Sequence, residues 1–82
     1  MIFFQVGQRE IGHLHQGRMA DLPFPVRIRE QLVAQGRADV HYLHPGSGWI
    51  TCYIRKESDI ALIVELFKLN YERPWLNRTQ TS

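Results

Sequence analysis

The chain has 82 residues, of which 44% are hydrophobic, and ten basic against eight acidic residues give a net charge of +2. This length suits one domain, and the apolar content is too high for a disordered chain. The basic residues are scattered among the acidic ones, so a nucleic-acid partner is not expected. No apolar run approaches the ~20 residues that span a bilayer, so no membrane partner is expected. The single cysteine, Cys52, excludes an internal disulfide. Together with the lack of a signal segment, it favours the cytoplasm.

The first half of the chain predicts a hairpin, a loop and a helix. Residues 2–6 are apolar and aromatic, and residues 10–15 alternate between apolar and polar. Gly7-Gln8 between them suits a type II′ turn, because glycine adopts the positive φ of its first central position. Residues 16–23 are predicted to form a loop. Pro25 then opens a helix, since its fixed φ suits the first helical turn.

The second half predicts another hairpin and another helix. Strands are expected over residues 39–44 and 49–55, joined by a turn at residues 45–48. In the return strand, Ile50, Cys52 and Ile54 point towards the helices by alternation, and Trp49, Thr51 and Tyr53 point the other way. A helix is predicted from about residue 58 to residue 72.

The element order is therefore β-β-α-β-β-α. It predicts a two-layer α+β fold with a four-stranded, mostly antiparallel sheet and two helices. Residues 1–76 are expected to form a single α+β domain, and residues 77–82 a frayed C-terminal tail.

The last helix has more apolar residues than one face can hold. One stripe contains Ile60, Ile63, Val64, Phe67 and Tyr71, and a second, nearly opposite, contains Leu62, Leu66 and Leu69. Either the first helix covers the leucines or a second copy of the chain does. We predict a homodimer, through the leucine stripe or through the open sheet face around Trp49 and Tyr53.

All four histidines lie in the two hairpins, where they can meet. His13 and His15 project from one face of a strand, a spacing that suits metal ligation. A third ligand would be His41, His44 or Asp21. Alternatively, His13 and His15 are half-buried strand residues that hydrogen-bond to backbone or to Asp21 and Tyr42. A partial motif of this kind is weak, so neither a bound metal nor a cofactor is expected.

Several short motifs mark a resemblance that extends from residue 10 to residue 73. They are Glu10, Gly12, His13 and His15; Asp21-Leu22-Pro23; Gly36-Arg37-Ala38 and His41; Ser47-Gly48-Trp49; Arg55, Asp59 and Tyr71-Glu72-Arg73. In this combination the chain resembles the small bacterial "luciferase domain" family, which is distinct from the large flavin-dependent luciferase barrels. The resemblance supports the element order and the importance of the histidine, tryptophan and arginine positions. It assigns no substrate.

Two functions are compatible with these features. The first is a non-catalytic binding or assembly domain, with another protein as a possible partner. The second is a small enzyme or metal protein whose site uses His13, His15 and His41. In the second, Trp49 shapes a pocket, Arg55 holds an anionic group by a forked pair of hydrogen bonds, and one histidine acts as general base. With Asp21, these residues form the candidate site. Convergence of the three histidines in a solvent-reached pocket distinguishes the second function from the first.

Overall fold

The computed structural model describes residues 1–81, and the side chains of residues 1–73. Its elements are β1 (Ile2–Val6), β2 (Arg9–His15), β3 (Met19–Pro23), α1 (Val26–Ala34), β4 (Asp39–Val40), β5 (Trp49–Tyr53) and α2 (Glu57–Thr81). The five strands form one sheet in the order β1-β2-β3-β5-β4, and every neighbouring pair is antiparallel. The predicted α+β class is confirmed, with five strands instead of four.

The additional strand is β3, which occupies the centre of the sheet where a loop was predicted. Gln16 and Gly17 have φ values of 52° and 69°, so both central residues of the preceding turn are left-handed. The Arg18 N–H donates to the carbonyl of His15 at 2.9 Å and closes this turn within the three-residue connection between β2 and β3. The strand itself reads Met-Ala-Asp-Leu-Pro, and Asp and Pro are depleted in strands. The prediction of a loop over residues 16–23 was therefore wrong.

The second hairpin is shorter than predicted. Its outgoing strand, β4, contains only two residues, and His41 to His44 lie in the loop that follows. The chain turns at once, because the Leu43 N–H donates to Nδ1 of His41 and the Ser47 N–H donates to the carbonyl of His44. The return strand β5 has the predicted alternation: Ile50 and Cys52 are buried beneath the helices, and Tyr53 is exposed.

The helices cover one face of the sheet and leave the other open. The core between the layers combines Ala20 and Leu22 of β3 with Ile50 of β5, and both helices pack against them through Leu32 and Leu66. α1 begins directly after Pro25, as predicted, and the chain leaves it through Gly36, whose φ of 73° suits a helix C-terminus. The opposite face of the sheet presents Glu10, His13 and His15 of β2 and Asp21 of β3.

The buried face of α2 lies between the two predicted stripes. Ile63, Leu66 and Asn70 are buried, whereas Ile60, Leu62, Val64 and Tyr71 are exposed. Asn70 is polar, and it is held by its side-chain N–H, which donates to the carbonyl of Ile11 at 3.0 Å. Because Leu66 belongs to the core of the single chain, it is not available to a partner. The predicted leucine stripe is therefore divided: Leu66 lies in the core and Leu69 packs partly against it, whereas Leu62 is exposed.

α2 extends to Thr81, beyond the predicted end at residue 72. Residues 77–82 were predicted to form a frayed tail. Their side chains lie outside the described part of the chain, so the fraying stays a prediction. Within the described residues, no helix combines the length and the apolar character needed to cross a membrane.

The position of Leu66 gives a stability prediction. Leu66 is 1% exposed and Leu62 is 56% exposed, although both belong to the same predicted stripe. We expect Leu66→Ala to lower the free energy of unfolding by about 2–5 kcal/mol, because it leaves a cavity in the core. The matched variant Leu62→Ala should change it by less than about 0.5 kcal/mol. Urea denaturation measures both values, and equal losses would contradict this placement of the helix.

Candidate functional site

Four polar residues converge on the open face of the sheet. His13 and His15 project from β2, and Asp21 lies opposite His13 in the register between β2 and β3. His41 reaches the same place from the loop after β4. The convergence follows from the topology, because the hairpin between β2 and β3 brings the two histidines beside the carboxylate, and β5 places the second hairpin on its other side.

Asp21 is the centre of the cluster, and none of its surface is exposed. Its Oδ2 lies 2.9 Å from Nε2 of His15, 3.2 Å from Nε2 of His13 and 3.5 Å from Nε2 of His41. Its Oδ1 accepts a hydrogen bond from the hydroxyl of Thr51 at 2.8 Å. One carboxylate oxygen is therefore fixed by β5, and the other faces three imidazole nitrogens.

His13 lies between two carboxylates. Its Nδ1 is 2.7 Å from Oε2 of Glu10, and its Nε2 faces Asp21. When Nδ1–H donates to Glu10, Nε2 presents a lone pair towards the cluster. A histidine oriented by a carboxylate in this way is the usual arrangement for a metal ligand. The rings of Phe3 and Trp49 lie 5.3 and 5.4 Å from the imidazole and restrict its movement.

His41 has the opposite proton arrangement. The backbone N–H of Leu43 donates to its Nδ1 at 3.1 Å, so Nδ1 carries the lone pair. Neutral imidazole has one proton, which must then be on Nε2, the atom that faces Asp21. His41 is therefore a hydrogen-bond donor towards the cluster and not a metal ligand. Stacking of its ring on Tyr42, at 4.7 Å between centroids, holds this orientation.

The cluster opens into a cavity of about 340 Å³ that solvent reaches. Trp49, Tyr42 and Leu43 provide the apolar part of its wall, and the four cluster residues and His44 provide the polar part. Within the described side chains, those lining this cavity include no lysine or arginine. The negative charge of Asp21 is therefore not balanced by a permanently charged side chain in the cavity wall.

Three of the cluster residues have the geometry of a metal site. One ligand atom each from His13, His15 and Asp21 lies within 4.8 Å of the other two. Two imidazole nitrogens and one carboxylate oxygen are a donor set that zinc accepts in four-coordinate sites with one open position. No bound metal was predicted from the sequence, and the alternative with a metal named His13, His15 and His41 as ligands. In the structure Asp21, and not His41, groups with the two strand histidines.

Arg55 does not join the cluster. Its guanidinium carbon lies 5.0 Å from the centre of the Tyr53 ring, and its side chain lines a separate cavity of about 300 Å³ between the helices and β5. Trp49 and Arg55 are six positions apart in extended chain, or roughly 20 Å at about 3.3 Å per residue. The two residues therefore belong to opposite ends of β5, and the prediction of one shared site was wrong for Arg55.

Two site residues were not predicted from the sequence. Glu10 orients His13, and Thr51 holds Asp21. Thr51 had a detectable signal, because it alternates to the same face of β5 as Trp49. Glu10 also had a signal, because it is among the residues that mark the family resemblance, but its contact with His13 depends on the irregularity in the β1–β2 pairing.

Cys52 is on the helix side of the sheet and takes no part in the cluster. Burial raises the pKa of its thiol from 9.0 to about 12, and the carboxylates of Asp39 and Asp21 contribute in the same direction. A thiol with this pKa is protonated at neutral pH and is a poor nucleophile. We expect a thiol reagent at pH 8 to label Cys52 only after denaturation. Rapid labelling of the native protein would contradict this assignment.

Comparison with known proteins gives one match. A family model described as "Luciferase domain" matches residues 8–70, a span that includes the whole cluster together with Glu10 and Trp49. The comparisons with curated proteins and with solved structures found no match.

Proposed function

Because the chain belongs to the Luciferase domain family and carries the cluster within the matched residues, we propose that it is a metal-binding protein. Its His13, His15 and Asp21 would hold one divalent transition ion, with zinc as the first candidate. The observation that carries the proposal is the convergence of two imidazole nitrogens on one buried carboxylate oxygen. The family description itself assigns no reaction.

The charge of the site favours a metal over a purely structural cluster. A carboxylate that is fully removed from water must be compensated by a cation or by strong hydrogen bonds. Apart from the histidines, the described side chains give the Asp21 carboxylate one hydrogen-bond donor, the hydroxyl of Thr51. The carboxylate of Glu10, on the other side of His13, adds a second negative charge nearby. A divalent ion would balance both carboxylates at once. Protonation of the histidines is the competing way to balance them.

This geometry favours the metal-protein alternative over a non-catalytic assembly domain. An assembly domain needs no convergence of its histidines, whereas a metal site requires it. Three protein ligands leave a fourth position of zinc open, which is the arrangement of zinc sites that act on a bound molecule. The open position would face the cavity beside Trp49.

Calorimetry with untagged protein tests the proposal. The protein is treated with a chelator, dialysed and titrated with zinc chloride at pH 7.5. We expect one equivalent to bind and the melting temperature to rise, because a ligand of the native state stabilises by mass action, about 2.7 kcal/mol at a free concentration 100-fold above Kd. The variant Arg55→Gln, which alters a side chain outside the cluster and its cavity, should bind equally well. Less than a tenth of an equivalent bound by the parent protein would contradict the proposal.

We also retain the homodimer and the cytoplasmic location as proposals. The exposed apolar residues Ile60 and Val64 lie four positions apart on one face of α2 and support an association surface that does not include Leu66. Light scattering at micromolar concentration should give about twice the chain mass of 9.6 kDa. A mass equal to that of one chain would contradict the dimer.

A further inference from the structure

The cavity beside the cluster combines an open metal position, one oriented hydrogen-bond donor and an apolar wall. From this combination we infer that the site binds a small carboxylate whose body is an apolar ring. The inference rests on the proposed zinc centre and names the class of ligand that the centre would take.

The open position of zinc accounts for one carboxylate oxygen. With His13, His15 and Asp21 as ligands, one position of a tetrahedral ion is left for a molecule from the cavity. Carboxylate oxygens bind zinc at about 2.0–2.2 Å. Solvent reaches the cluster through the cavity, so the position is accessible to a ligand from outside.

His41 would donate a hydrogen bond to the second oxygen of the ligand's carboxylate. Its Nε2–H is fixed as a donor by the bond between the Leu43 N–H and Nδ1. Nε2 lies 3.5 Å from Oδ2 of Asp21, at the outer limit of a hydrogen bond, so this donor is only weakly engaged. Because this contact is long, the His41 donor is available to an oxygen of the bound ligand.

The apolar wall of the cavity is the reason why we infer an apolar ring in the ligand. Trp49 is half-buried beside His13, whereas Tyr42 and Leu43 are 50% and 64% exposed. These side chains present apolar surface next to a polar cluster, an arrangement typical of sites that orient a ligand by a few polar groups and bury its apolar part. The cavity has a volume of about 340 Å³, and the flat indole ring of Trp49 beside His13 offers a surface against which a ring of the ligand can pack.

Competition between simple acids tests the inference. Protein loaded with one equivalent of zinc is titrated calorimetrically with benzoate, cyclohexanecarboxylate, acetate and benzamide. We expect both ring acids to bind at least about tenfold more tightly than acetate, because about 1.4 kcal/mol of added apolar contact is a factor of ten. Benzamide lacks the anionic group and should bind weakly or not at all. The chelator-treated protein should not bind benzoate.

Two variants separate the parts of the site. Trp49→Ala should weaken benzoate binding about tenfold and leave acetate binding unchanged, since only the ring contacts the wall. His41→Phe should weaken both acids while zinc affinity is retained, and the melting temperature of zinc-loaded protein reports whether each variant is folded. Zinc binding without a preference for ring acids would overturn this inference and leave the proposed metal centre standing. Failure of zinc to bind would overturn both.

Discussion

Replacing His15 by glutamine is expected to weaken zinc binding by more than about 100-fold. His15 presents Nε2 at 2.9 Å from Oδ2 of Asp21, so the proposed ion would lose one of three protein ligands. Loss of an outer partner of a ligand typically costs 10–100-fold in affinity, and loss of a ligand should exceed that range. Competition with a chromophoric chelator measures the dissociation constant of the variant against that of the parent protein.

The loss of zinc affinity on substitution of the other residues should depend on their roles in the site. Glu10→Gln keeps the shape of the side chain but removes the charge beside Nδ1 of His13, so a loss of about 10–100-fold is expected. His41→Gln should have little effect on zinc, because Nε2 of His41 is a donor. Arg55→Gln, at a residue outside the cluster and its cavity, is the control. Equal losses for His15→Gln and His41→Gln would contradict the assignment of the ligands.

Replacing Gly48 by alanine is expected to cost about 3 kcal/mol of folding free energy. A Cβ atom at this position would lie 1.7 Å from the carbonyl oxygen of Phe24, so backbone must move. The same two residues are joined by the Phe24 N–H, which donates to the carbonyl of Gly48 at 3.0 Å. The expected cost is at the upper end of the range for overpacking, about 1–3 kcal/mol. In a domain of this size it would lower the melting temperature by roughly 12–24 °C.

Gly46 provides a matched control on the same loop. A Cβ atom there meets nothing within 4 Å, so Gly46→Ala should change stability by less than about 0.5 kcal/mol. Because Gly48 precedes Trp49, which lines the cavity, Gly48→Ala should also disturb the site. A Gly48→Ala protein as stable as Gly46→Ala in thermal denaturation would contradict the close approach of the two loops.

Local patterns predicted those elements that a turn residue or the alternation of side chains marks in the sequence. The first hairpin, the start of α1 at Pro25 and the two faces of β5 each depend on a turn residue or on strict alternation, and the structure has all of them. β3 could not be predicted in this way. It is central, and its Asp21 is a buried polar residue whose partners come from β2, β5 and the loop after β4. Only the completed sheet supplies those partners.

The sequence predicted that the histidines can converge, but it did not predict that Asp21 lies at their centre. The spacing of His13 and His15 places both on one face of a strand, and this part required no tertiary knowledge. The central role of Asp21 depends on β3 and could not be derived from a chain read with a loop there. The proton position on His41 depends on one backbone hydrogen bond, which sequence does not reveal. Arg55 was predicted to lie in the same site as Trp49, but six positions of extended chain separate the two residues.

The central claim is that His13, His15 and Asp21 hold one metal ion, and crystallography at the zinc absorption edge tests it most directly. Crystals grown with one equivalent of zinc should show a single strong anomalous peak on the open face of the sheet. We predict Nε2 of His13, Nε2 of His15 and a carboxylate oxygen of Asp21 at about 2.0–2.2 Å from that peak, with Nε2 of His41 outside bonding distance. No peak at the cluster, or a peak held elsewhere in the molecule, would contradict the account.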